Sequence, residues 1–123
     1  MDTRTKIVTP AAVATLDLPR PVLLVTGRFD ILRVDVAREL TAARERTGAQ
    51  SLIVAIGPYT GELVPLEARA EMAAALRVVD YVFIAEDRDL AGLITALQPI
   101  ETIHLEEAET HRVGQLIEHV HGR

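Results

Sequence analysis

Residues 22–36, VLLVTGRFDILRVDV, carry the pattern on which the fold turns. Val22 to Thr26 form an unbroken run without polar alternation, which suits a strand buried on both faces. Gly27 ends the run. From about Val34 to Thr47 the apolar positions Val36, Ala37, Leu40 and Ala43 recur at helical spacing, with charges on the other face. Gly48 is placed to terminate that helix.

Outward from this unit the alternation continues. SLIVAI (51–56) repeats the buried-strand pattern, and GPYTGE (57–62) reads as an irregular loop. Pro65 opens a second helix at its first turn, where a missing N–H costs nothing. The helix runs to about Val78 and packs through Leu66, Ala70, Ala73, Ala74 and Leu76. DYVFIA (80–85) is a third buried strand. Asp87 is placed to cap a third helix, which carries Leu90, Leu93, Ile94 and Leu97 and stops before Pro99. ETIHLE (101–106) alternates enough for a shorter strand nearer the edge. From about Glu109 to His121 the chain is amphipathic through Val113, Leu116, Ile117 and Val120. Strands alternating with helices imply parallel pairing and right-handed crossovers. The expected fold is α/β, a three-layer α/β/α Rossmann-like sandwich on a parallel sheet of four to five strands. Residues 1–123 read as a single domain, with 1–20 an N-terminal arm, either extended or a short helix.

Composition sets the limits on function. The chain has 123 residues, and a domain of that length buries roughly two-thirds of its unfolded surface. Aromatics are only 3%, so Val, Leu, Ile and Ala must fill the core. The net charge of −5 argues against general nucleic-acid affinity, which needs a positive patch against phosphates. Without cysteine, disulfides, thiolate catalysis and cysteine-ligated zinc are excluded. MDTRTKIVTP lacks the apolar core of a signal peptide. No apolar run approaches the roughly 18 residues of a membrane helix. The expectation is a cytoplasmic protein without membrane or nucleic-acid partners.

In open parallel sheets, ligands bind at the carboxyl ends of the strands. The loop Gly27-Arg28-Phe29-Asp30-Ile31-Leu32-Arg33-Val34-Asp35-Val36 is therefore where a site should begin. This loop resembles the G-x-F-D-x-L-H-x-G-H segment of the cytidylyltransferase-like nucleotidyltransferases. The likeness is nearest to the adenylyltransferase domain of ADP-heptose synthesis, with glycerol-3-phosphate cytidylyltransferase more distant. KIVTP, VLLVT, GRFDIL, SLIVAIG and PLEARAEMAAALRVVDYVFI fall in the family's order, covering roughly Lys6 to Pro99.

The resemblance implies a site where two histidines hold the nucleotide phosphates at a helix N-terminus. Here Arg33 stands at the first histidine, Asp35 at the intervening glycine, and Val36 at the second histidine. Arg33 can still clamp phosphate, Val36 has no donor, and Asp35 adds negative charge where a triphosphate would sit. The family's lysine-glycine-glycine-aspartate type segment is missing after IHLE. Its serine/threonine-rich motif before the last helix has Glu109-Thr110-His111-Arg112 as counterpart. The ligand-binding candidates are Gly27, Arg28, Asp30, Arg33, Arg69, Thr110 and Arg112, with Arg33 the single catalytic candidate.

Each candidate also has a plainer reading. Phe29 suits core packing and Asp30 a turn cap. Asp35 suits a helix-dipole partner. Arg28 and Arg33 either pair with Asp30 or Asp35 or bind an anion. Arg69 matches a helix arginine that, in the family, lies near the phosphates; the other reading pairs it, solvated, with Glu67 or Glu71. His104, His111, His119 and His121 read as surface histidines, and their spacing does not predict a metal site. No Ser-His-Asp arrangement or P-loop appears. Two functions follow. One is a degenerate nucleotidyltransferase-like protein without transfer activity, a nucleotide- or anion-binding or self-associating module, homodimeric like related enzymes and without a cofactor. The alternative is an active adenylyl- or cytidylyltransferase acting on a sugar or polyol phosphate, with Arg33 replacing a histidine and Mg²⁺ screening Asp35.

Overall fold

The computed structural model describes residues 2–30 and 34–106. Five strands form one parallel sheet: β1 (Ile7–Val8), β2 (Val22–Thr26), β3 (Ser51–Ile56), β4 (Tyr81–Ile84) and β5 (Glu101–His104), in the order β1-β4-β3-β2-β5. Helices α1 (Val34–Thr47), α2 (Leu66–Ala74) and α3 (Asp87–Leu97) join β2 to β3, β3 to β4 and β4 to β5. The expected Rossmann-like α/β sandwich is what the chain forms.

Layering follows from side-chain alternation in strands buried on both faces. Leu23, Val25, Leu52, Val54, Ile56 and Val82 face one way and pack with Val36, Leu40 and Ala43 of α1 and Ala70, Ala73 and Ala74 of α2. Val22, Leu24, Ile53, Ala55 and Phe83 face the other way, toward Leu93 and Leu97 of α3 and toward Val13, Leu16 and Leu18. Every residue of β2 and β3 is buried, so these strands needed no polar alternation. Ser51 and Thr26, the polar members, hydrogen-bond through their hydroxyls.

The N-terminal arm combines the two expected forms, short helical segments and an extended one. Two 3-10 segments, Thr3–Lys6 and Pro10–Thr15, flank β1, which adds the fifth strand beside β4. The second helix is shorter than its periodicity predicts, ending at Ala74 rather than Val78. Side chains from elsewhere take the carbonyls of the following turn: Lys6 Nζ donates to Leu76 O and Val79 O, and Arg44 Nη1 donates to Val78 O. Those partners replace intrahelical bonds, so extending the helix gains nothing. Pro65 is the N-cap residue, one position before the expected first turn. Glu86, not Asp87, caps α3, because Glu86 and Asp89 reciprocate each other's backbone N–H in a capping box. α1 has its predicted bounds, and Gly48 closes it at φ +71°. Strand β5 is an edge strand as expected. The amphipathic stretch 109–121 lies outside the described residues.

Candidate functional site

The chain runs from β2 through β3 to β4 on one side of β2, and α3 then returns it to β5 on the other side. Connections diverge at the β2–β5 junction, the topological switch point where such sheets open a crevice. A cleft of about 200 Å³ lies at this carboxyl edge. Thr26 at the end of β2 and Gly27 after it, Gly57 and Tyr59 after β3, Glu86 and Asp87 after β4, and Glu106 after β5 contribute to its lining, with Arg28.

The loop after β2 turns inward rather than toward a ligand. Phe29 is buried among the core residues and holds φ +55°, a strained conformation for a bulky residue. Its ring leaves no room at Gly27, where a Cβ would stand 2.9 Å from Phe29 Cε2 and 3.2 Å from Leu105 Cβ. Gly27 is thus explained by close packing. Val36, at the position of the second histidine in the resemblance, is 7% exposed and belongs to the core. Asp35 sits exposed in the first turn of α1, favourably placed for the helix dipole.

Arg69 is the correction of greatest consequence. A solvated arginine paired with Glu67 or Glu71 is not what forms: the side chain is 0% exposed and its ion pair is with Glu62, at 2.5 Å. Nε donates to Val64 O (3.1 Å), and Nη1 donates to Arg28 O (3.0 Å) and Gly57 O (3.2 Å). Nη2 donates to Glu62 Oε2. Four of the five N–H donors of a guanidinium are therefore engaged within the protein. The burial has a simple cause. Arg69 is on the sheet-facing side of α2, beside Ala70 and Ala73, so the guanidinium reaches the loops leaving β2 and β3.

Tyr59, which local periodicity places in an irregular loop, joins these loops. Its hydroxyl donates to Asp30 Oδ2 at 2.5 Å. The guanidinium carbons of Arg28 and Arg69 lie 4.5 and 4.9 Å from its ring centroid, within cation–π range. Donation to Asp30, then burial, push the phenol above its ordinary value, because ionisation would remove that donor beside a carboxylate. Asp30 thus accepts a loop-to-loop hydrogen bond, and Arg28 stacks on a ring. The signal in the sequence was slight: four aromatics in all, two of them, Phe29 and Tyr59, in loops after buried strands.

A second polar group closes the β2–β5 side. Thr26 Oγ1 donates to Glu106 Oε1 (2.5 Å) and lies 2.8 Å from His104 Nδ1. A hydroxyl that donates to Glu106 accepts from the imidazole, which places a proton on Nδ1. His104 is exposed, as expected of a surface histidine, and is the cross-strand partner of Thr26.

At the α3 N-terminus, carboxylates of Glu86 and Asp89 already occupy backbone donors. The cleft presents Glu86, Asp87 and Glu106 together with the single arginine Arg28 among its lining residues. Among the described residues, no group of three or more His, Cys, Asp or Glu is placed to hold a metal ion. No helix among them is long and apolar enough to cross a membrane. Of the sequence-predicted site residues, the structure brings Gly27, Arg28, Asp30 and Arg69 together. Arg33, Thr110 and Arg112 lie outside the described residues, as do His111, His119 and His121. No protein-family model and no curated protein matches this chain.

Proposed function

We propose that this chain is a nucleotidyltransferase-like protein that does not transfer nucleotides and serves as a binding or self-associating module. The observation that carries the reading is the state of Arg69. An arginine able to meet phosphate at the carboxyl edge is instead buried, with four donors spent on Val64, Arg28, Gly57 and Glu62. The rest of the edge supports the same reading. The α3 N-terminus is capped from within, and carboxylates at Glu86, Asp87 and Glu106 repel a polyphosphate. Val36 belongs to the core, where a histidine donor is absent.

The test is turnover by the full chain with ATP or CTP, Mg²⁺, and a sugar phosphate or glycerol 3-phosphate. No pyrophosphate release above background is expected, and light scattering on the same preparation should read a dimer. Sustained release abolished by Arg33→Ala would establish the alternative, an active transferase with Arg33 as phosphate clamp.

A further inference from the structure

We propose that the loop 57–65 is a built-in occupant of the cleft. In this proposal Tyr59 and Glu62 supply the aromatic ring and the anionic group of an absent ligand, and the site beneath takes a planar aromatic anion. The proposal rests on the reading that this chain does not transfer nucleotides.

One loop brings both chemical parts to Arg69, and its ring also to Arg28. The ring of Tyr59 meets the guanidinium groups of Arg28 and Arg69, while the Glu62 carboxylate meets Arg69 Nη2. An aromatic face and a carboxylate against guanidinium groups is the recognition set of a planar aromatic anion. Asp30 completes it by accepting from the phenol, as it would from a ligand hydroxyl or amine. The set sits at the carboxyl edge of the sheet, where this architecture places ligands.

Size points the same way. At about 200 Å³ the cleft is below the roughly 300 Å³ at which small-molecule pockets begin. Tyr59 lines the cleft, Arg69 does not, and the buried guanidinium lies 4.9 Å from the Tyr59 ring centroid. In this proposal, removing the ring opens the cleft to that guanidinium. The loop is held in this position by Arg69 itself, which bonds Gly57, Glu62 and Val64, and by Gly57, where a Cβ would meet Ala85 O at 2.5 Å.

Calorimetric titration with AMP, with 4-hydroxybenzoate and with inorganic phosphate tests this on the full chain and on Tyr59→Ala, Tyr59→Phe and Glu62→Gln. The wild type and Tyr59→Phe, which keep the ring, should show no saturable binding below millimolar concentration. Tyr59→Ala should gain about tenfold or more in affinity for an aromatic anion, and Glu62→Gln a smaller gain. A preference for AMP assigns the site to a nucleoside phosphate, and one for 4-hydroxybenzoate to an aromatic acid. A Tyr59→Ala chain that melts normally yet binds neither aromatic probe overturns the proposal. If that variant does not fold, Glu62→Gln decides in the same terms. A gain for inorganic phosphate alone also overturns it. Micromolar AMP binding by the wild type, or silence in every variant, overturns this proposal alone; the absence of transfer is decided separately by pyrophosphate release.

Discussion

Tyr59 shows how one residue changes the meaning of those around it. Its hydroxyl gives Asp30 a partner and its ring gives Arg28 and Arg69 a surface. The phenol is held above the ordinary tyrosine value of about 10, chiefly by donation to Asp30. Because the folded value is raised, the stabilisation from this bond is fully present below the unfolded pKa. It is lost as pH rises through the folded value. The tyrosinate absorbance step that Tyr59→Phe removes should therefore come above the ordinary tyrosine value on raising the pH. In Asp30→Asn that step should move back toward the ordinary value; an unshifted Tyr59 step in the wild type would remove the hydrogen bond from the description. Sequence reading identified Phe29 as core and placed Asp30 and Arg28 in the right loop, because those readings depend on neighbours along the chain. It missed Tyr59 and Glu62, whose partners Asp30 and Arg69 lie 29 and 7 positions away and meet them only through the folded loops. Periodicity reports which face a residue takes, and it says nothing about which loops converge above a sheet.

At the scale of elements, α2 is held to the carboxyl edge by a side chain as much as by its apolar face. Arg69 ties the helix to Arg28 in the loop after β2 and to Gly57, Glu62 and Val64 in the loop after β3. Replacing it with Met keeps the aliphatic stem but leaves three backbone carbonyls short of a donor. Breaking such a buried charged group costs about 3 kcal/mol or more. Arg69→Met should lower the melting temperature by about 10 °C. Arg69→Lys should recover little, since one ammonium does not span the fork of partners. A melt within about 2 °C of wild type for Arg69→Met would show that the loops hold without it. Strands β2, β3 and β4 were legible as unbroken apolar runs and helix α1 as a sustained helical repeat. The end of α2 was not, because Lys6 and Arg44 decide it from outside the helix. The cap of α3 was off by one position, since Glu86 with Asp89 forms a better reciprocal pair than Asp87 alone.

Taken as a whole, the molecule keeps the architecture that creates a crevice and leaves a cleft of only about 200 Å³ there. Sheet order, the β2–β5 switch point and helices on both faces generate the place for a ligand. The loops that reach it carry Phe29 into the core, Tyr59 onto two arginines, and Glu62 onto Arg69. The segment VLLVTGRFDILRVDV therefore reads in two ways at once: its strand and helix make the scaffold, and Phe29 and Asp30 of its loop make internal contacts. The most direct test is calorimetric titration of the full wild-type chain with ATP and with CTP in the presence of Mg²⁺. No saturable heat is expected at concentrations up to millimolar, and micromolar binding of either nucleotide would contradict a cleft closed from within.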